Sequence, residues 1–348
     1  MRIVCQLPTD NWNRAGARAK WAEGIGYDGV TTSELAHDPF MPLAIAGHST
    51  DRVALGTSIA VAFPRSPMIA ANMGWDLNAQ TGGRFEFGLG TQVKGHNERR
   101  FSTPWVAPVA RMREYMQAIR AIWNAWEHGE KLNFEGEHYS FTLMTPEFSP
   151  PKSGLRLPPL TVAAVGPDML RMAGRIADGA RLHGFCTRKY IENVCMPKVE
   201  EGMARSGRDR ASFEISGGGF VATGADEQAV AEKLDWVRYR VGFYGSTRTY
   251  LPVFEQHGLE DLGLKLHKMS KEGKWSELAA QVSDDVVRLF AAVGTYEELP
   301  AAVAERFGGV VDTLRLDLPD DIDPELHKDL IGKLRATPVA FDGFRTAA

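Results

Sequence analysis

The chain has 348 residues, 44% of them hydrophobic and 24% charged, which is the profile of a folded globular protein and excludes a disordered or fibrous one. Forty Lys and Arg against 44 Asp and Glu give a net charge of −4, so no general attraction to nucleic acid or an anionic membrane is expected. Cys5, Cys186 and Cys195 form no CxxC pair, which argues against a disulfide framework or cysteine zinc cluster and predicts a reducing, cytoplasmic setting.

The opening MRIVCQLP lacks the apolar core of a secretory leader. No apolar run approaches the roughly 18 residues of a bilayer span. Strands are expected at 3–7, 29–33, 53–63 and 84–90, separated by helices at 13–25, 41–49 and 67–80. A strong helix follows at 109–126, where Met112, Tyr115, Met116, Ile119, Ile122 and Trp123 recur near helical spacing. The alternation then pauses for a hairpin at 134–144 and a Pro-rich excursion at 145–159. It resumes with strands at 160–165, 181–185, 213–223 and 310–316, and helices at 168–177, 189–205, 225–241 and 297–307.

Eight strands alternating with helices predict a (β/α)8 TIM barrel, an α/β fold, as a single domain over 1–348 with insertions near 130–159 and 244–285. An open doubly wound sheet would normally carry GxGxxG after its first strand, and here that strand runs into LPTDNWN.

Barrel active sites lie at the C-terminal strand ends. After the second strand Glu34, His37 and Asp38 fall within five residues, a carboxylate–imidazole grouping suited to proton transfer. Asp38 before Pro39 equally suits a helix N-cap. The third strand, LGTSIAVAFPRSP, is almost wholly apolar, as a buried barrel strand should be. Its small residues would also let a flat ring approach. In the fourth, Gly88 and Gly90 weaken a strand unless something comes close to its backbone. The polar train Thr91, Gln92, Lys94, His96 and Asn97 follows, where a ligand would lie. The fifth strand enters a helix through AAVGPDM, a turn that can present N–H groups to phosphate or be an ordinary strand–helix turn. No HxxxH or HxH pair occurs among the nine histidines, so no metal site is expected.

The segments LGTSIAVAFPRSP, TGGRFEFGLGT, GHNERRF and TVAAVGPDMLRMAGRIADGARLHGF together resemble the luciferase-like flavin and deazaflavin oxidoreductases. GLGTQVKGHNERRF points to the branch using coenzyme F420. The resemblance implies a barrel with an insertion after the fourth helix. It also implies a non-proline cis peptide between Ser58 and Ile59, behind the cofactor's central ring. It further implies cofactor contacts at Asp38, Gly90, Thr91 and Asn97, with Ala164, Val165 and Gly166 holding the cofactor phosphate. Two departures stand out. Several deazaflavin dehydrogenases carry an Asp-His pair directly after the second strand, where this chain reads Glu34-Leu35-Ala36-His37-Asp38. Sugar-phosphate oxidising members carry a glutamate just past the Gly-x-Gly-Thr turn, where this chain has Gln92-Val93-Lys94, which argues against a glucose 6-phosphate dehydrogenase.

The reading that results is an oxidoreductase moving a hydride between F420 and a small organic, apolar or planar substrate. His37 is the first candidate for the proton role, with Glu34 or His96 second. A monooxygenase using reduced flavin mononucleotide (FMN) on the same fold is the alternative, and a non-catalytic cofactor-binding relative a third. Loops at 63–67, Trp105 and 244–250 are expected to line the substrate pocket, and a homodimer is expected.

Overall fold

Apolar runs bounded by polar caps become parallel strands in the computed structural model, which describes residues 1–344. The chain divides into two units. The N-terminal unit is Val4–Arg181 with Lys198–Glu214 and the residues from Phe341; the C-terminal unit is Met1–Ile3, Leu182–Pro197 and Ile215–Ala340.

In chain order the N-terminal unit contains most of β1 (Arg2–Gln6) and all of β2 (Gly29–Thr32), β3 (Ala54–Thr57), β4 (Ala60–Val61) and β5 (Phe85–Gly90). There follow the hairpin β6 (Phe134–Glu135) and β7 (Ser140–Phe141), then β8 (Leu160–Ala164) and β9 (Gly179–Leu182). Parallel pairing sets Val4 against Gly29, Gly29 against Ala54, Leu55 against Phe85, Ala60 against Leu89, and Phe87 against Leu160. Every residue of β2 and β5 is buried, as expected of parallel strands covered on both faces. Helices at Trp12–Ile25, Phe40–Ser49, Pro67–Gln80 and Pro108–His128 make the crossovers. Pro67–Gln80 starts with proline in its first turn and with the Ser66 hydroxyl accepting the Met68 N–H, so two of its start signals are local. The Pro108–His128 helix buries all six residues of its apolar stripe completely. At about 1.5–3 kcal/mol per large apolar side chain, that face is what holds the helix in place. The helix also anchors the hairpin, because the Glu114 carboxylate accepts the His138 N–H at 2.7 Å.

The single strand expected at 53–63 is instead two strands broken at a cis peptide between Ser58 and Ile59. At the break the Ser33 hydroxyl donates to the Ser58 carbonyl (2.9 Å) and the Glu34 N–H donates to that of Ile59 (3.1 Å), so loop groups replace the ladder. The polar train after β5 also folds locally, into a short helix Lys94–Arg99. The sixth strand stops at Leu182, and Phe185 lies beyond it among aromatic rings.

In the C-terminal unit the expected strand 213–223 is likewise two: β10 (Glu214–Gly217) and β11 (Phe220–Gly224). Gly217 and Gly218 have φ of 82° and 83°, a left-handed turn open to glycine that ends one strand before the other begins. β11 pairs in parallel with β12 (Ala291–Thr295), which the sequence reading missed, while β10 pairs with β13 (Thr313–Arg315). The 244–285 insertion is helical, with Leu251–Glu255 and Glu260–Lys271. A final helix, Pro324–Arg335, was also not expected; the Asp323 side chain caps it. Among the described residues no helix is long and apolar enough to cross a membrane.

Candidate functional site

In the N-terminal unit the C-terminal ends of β2, β4 and β5 carry an interlocked set of polar groups. Glu34, just past β2, is buried, and its Oε2 accepts the Val61 N–H at 2.7 Å. Arg65 Nη1 donates to both Glu34 oxygens (3.0 and 2.8 Å) and to the Val61 carbonyl, while Nη2 donates to Asp38 Oδ2 at 3.1 Å. Burial alone would lower the Arg65 pKa, but the hydrogen bonds and charges of Glu34 and Asp38 outweigh it and raise it. Arg65 is therefore a fixed cation tying two loops together. Asp38 is also the helix cap the sequence allowed, its Oδ1 accepting the N–H of Phe40 (2.8 Å) and Met41 (3.2 Å).

The backbone beside this cluster is tightly nested. A Cβ on Gly90 would lie 2.6 Å from Ile59 Cδ1, and one on Gly88 would lie 2.0 Å from the Thr57 carbonyl oxygen. The close approach that these glycines signal is thus made first by the protein's own chain, at the Ser58–Ile59 break. Past Gly90, Thr91 and Gln92 turn through a positive φ at Gln92 (57°). Asn97 is fully buried and shapes that turn, its Nδ2 donating to the carbonyls of Thr91 (2.8 Å) and Val93 (3.2 Å). Among the described residues its Oδ1 has no partner, which leaves a buried acceptor at the strand end.

At the end of β8, Gly166 precedes the Pro167–Ile176 helix without any side-chain cap. A Cβ there would meet nothing within 4 Å, so the fold does not require glycine at this turn.

His37 and His96 are both exposed, and among the described residues no hydrogen bond or ion pair holds either ring. Arg100 donates to the Leu35 carbonyl and so brings the segment after β5 against the loop that carries His37. Phe63 and Trp105, both expected near the substrate, meet edge to face at 6.1 Å. Arg111 lies over the Phe63 ring and donates to the Tyr139 hydroxyl at 2.9 Å.

Two groups escaped the sequence reading here. Arg65 lies in FPRSP, and its signal in the sequence is a cation four residues past a buried strand with acids in the preceding loop. Tyr115 reads in the sequence only as part of the helical apolar stripe, yet among the described residues its hydroxyl is buried without a partner, and burial raises its pKa. Glu114, Glu137 and His138 bring ligand-type atoms within 4.8 Å of one another, but Glu114 already serves the hairpin and nothing else marks a metal site there.

In the C-terminal unit, His183 follows β9 and sits among aromatic rings: Tyr250 stacked at 5.0 Å, Tyr244 edge-on at 4.4 Å. Its Nδ1 accepts the Phe185 N–H, which places the proton of the neutral ring on Nε2. Burial, with the Arg240 charge second, depresses its pKa to about 4. No sequence pattern distinguished this histidine from the other eight.

The arrangement can be set beside known proteins. The family described as luciferase-like monooxygenase matches residues 2–313. An uncharacterized protein of Mycobacterium tuberculosis is 46% identical over 86% of this chain and 88% of its own length. A 5,10-methylenetetrahydromethanopterin reductase of Archaeoglobus fulgidus is 25% identical over 90% of this chain and 92% of its own. The solved structure of a coenzyme F420-dependent tetrahydromethanopterin reductase from Methanopyrus kandleri aligns with a TM-score of 0.75, covering 97% of this chain and 98% of that one at 19% identity. That likeness carries the fold, which is the expected (β/α)8 barrel with its insertions.

Proposed function

Because the chain belongs to the luciferase-like monooxygenase family, we propose that it is an oxidoreductase moving a hydride between coenzyme F420 and a small organic substrate. The observation that carries the proposal is the cradle at the ends of β4 and β5. There the tightly nested backbone at Gly88 and Gly90 and the unpartnered Asn97 Oδ1 occur together. The solved tetrahydromethanopterin reductase of the same fold supports the choice of cofactor by the F420 in its name.

The donor set fits a planar ring with a phosphate-bearing tail. Ser58, Ile59, Gly90 and Thr91 would back the ring, Asn97 and Asp38 would flank it, and Ala164, Val165 and the uncapped Gly166 turn would face the phosphate. Bound there, a deazaflavin supplies a two-electron hydride carrier that reacts poorly with oxygen. The chain's own work is positioning and proton supply. Glu34 has its oxygens engaged by Arg65 and Val61, so it holds the loops in place. His37, free to rotate at the rim, is the group we assign to give or take the proton that accompanies hydride transfer. Phe63 and Trp105 would present an apolar wall to the substrate. The proposal includes a homodimer as the working form.

Mixing the protein with F420 and with FMN and following fluorescence quenching tests the reading. Saturable quenching of F420 at lower protein concentration supports it. The reverse order favours the reduced-FMN monooxygenase suggested by the family's description. Binding of either without turnover on any carbonyl or alcohol substrate favours a non-catalytic relative.

A further inference from the structure

The C-terminal unit contains a cavity of about 460 Å³ among the start of the Arg188 helix, β12 and the Leu299–Phe307 helix. None of its lining residues belongs to the candidate site described above. Arg188, Lys189, Arg288 and Arg306 line it, against Glu192 and Glu305.

These charges are not equally engaged. Arg188 is used locally: its Nε pairs with Glu192 at 2.8 Å and its Nη1 donates to the carbonyls of Glu305 and Gly308. Lys189 and Arg288 are exposed, and among the described residues no ion pair or hydrogen bond holds either side chain. Arg306 is 7% exposed, and its Nη2 donates to the carbonyls of Cys186 (2.6 Å) and Gly218 (2.9 Å). Among the described residues its Nε and Nη1 have no partner, and no carboxylate pairs with it. Glu192 acts on this buried guanidinium only from a distance, and unmet donors without a directly paired carboxylate are costly unless something anionic completes them. Burial lowers its pKa to about 10, so it stays charged near neutral pH.

A second observation agrees. His257 lines the same cavity, with Nε2 2.8 Å from the Thr187 hydroxyl, which in turn accepts the Tyr190 N–H. Burial lowers the His257 pKa, and the Lys189 and Arg306 charges push it further down. The histidine thus registers a positive field in the space it faces.

We propose that this cavity binds a phosphate group, free or carried on a small molecule, with Lys189 and Arg288 closing on it and Arg306 behind them. Three convergent cations suit a compact, multiply charged oxyanion better than a singly charged one. The proposal names a ligand class and does not require the bound molecule to be the substrate.

The test is a calorimetric titration of the cofactor-free protein with inorganic phosphate and with citrate at fixed ionic strength, so its outcome does not depend on which cofactor the enzyme uses. Parent protein should bind phosphate saturably, and Lys189→Gln/Arg288→Gln should bind at least tenfold more weakly. Both positions are exposed, so the variant should fold; its unfolding temperature without phosphate should match the parent's. Phosphate held by the Gly166 turn would survive in this variant and be lost in Gly166→Val, and that pattern overturns the proposal. Absence of saturable binding, or tighter binding of citrate than of phosphate, overturns it too.

Discussion

Arg65 shows how much one side chain can organise. It joins Glu34, Asp38 and the Val61 carbonyl, and the Arg65 and Glu34 side chains are only 18% and 7% exposed. Removing one member of a buried ion pair leaves the other uncompensated, at about 3–5 kcal/mol. Arg65→Leu should therefore lower stability by about 3 kcal/mol in urea denaturation; a loss under about 1 kcal/mol would mean that water already screens the pair. The exposed His37 ring, by contrast, is held by no hydrogen bond or ion pair among the described residues, so His37→Ala should leave stability unchanged. If it moves the proton, turnover should fall at least ~100-fold with cofactor affinity changed no more than a few-fold. Equal turnover would transfer the role to His96 or Glu34.

His183 makes a different prediction. Its folded pKa of about 4 lies below the ordinary 6.5, so between those values the unfolded chain takes up a proton that the folded chain does not. Its contribution to stability is complete above pH 6.5 and is lost as pH falls toward 4, by about 3 kcal/mol in all. The parent's stability toward denaturant should fall as pH is lowered from 7.5 to 5, and less so in His183→Phe. Parallel pH profiles would show that the ring takes up its proton equally in the folded and unfolded chain and would contradict the buried neutral imidazole.

Among elements, the legible ones are those whose signals are local. The Pro67–Gln80 helix starts and ends where its proline, Ser66 and apolar spacing put it, and the six-residue stripe of Pro108–His128 is buried throughout. What the sequence hid was decided by distant partners. The apolar pattern of the 53–63 run continues past Thr57 and Ser58, so periodicity alone reads one strand. Only the resemblance placed a cis peptide there, and the break between β3 and β4 is held by the loop after β2 through Ser33 and Glu34. β12 was missed because AAVGT is short and small, and only pairing with β11 makes it a strand. At the candidate site, sequence located the strand ends and the glycines, but not the cation that binds them, since which acid Arg65 reaches depends on packing. The glycines give an element-scale test. Gly88→Ala would place Cβ 2.0 Å from a backbone oxygen that cannot move alone, whereas at Gly166 nothing lies within 4 Å. Overpacking of the first kind typically costs about 1–3 kcal/mol or more. Gly88→Ala should thus lower the unfolding temperature by several degrees, while Gly166→Val should fold like the parent and bind cofactor more weakly. Equal stability of all three proteins would contradict the nested backbone at β5.

At the scale of the whole molecule, the alternation of strands and helices led to the barrel, and the family match over residues 2–313 with the 0.75 TM-score agrees with it. The fold alone does not select a chemistry, because function resides in the residues at the strand ends. In this chain those residues form a nested backbone with a buried free acceptor at Asn97, beside an exposed imidazole and a fixed Glu34–Arg65 pair. The central claim is that this arrangement is built for a deazaflavin. Calorimetric titration of one preparation with F420 and with FMN, side by side, tests it most directly. The account predicts that F420 binds more tightly than FMN and that Gly166→Val weakens its binding. Tighter binding of FMN would contradict it and make the reduced-flavin monooxygenase the better reading.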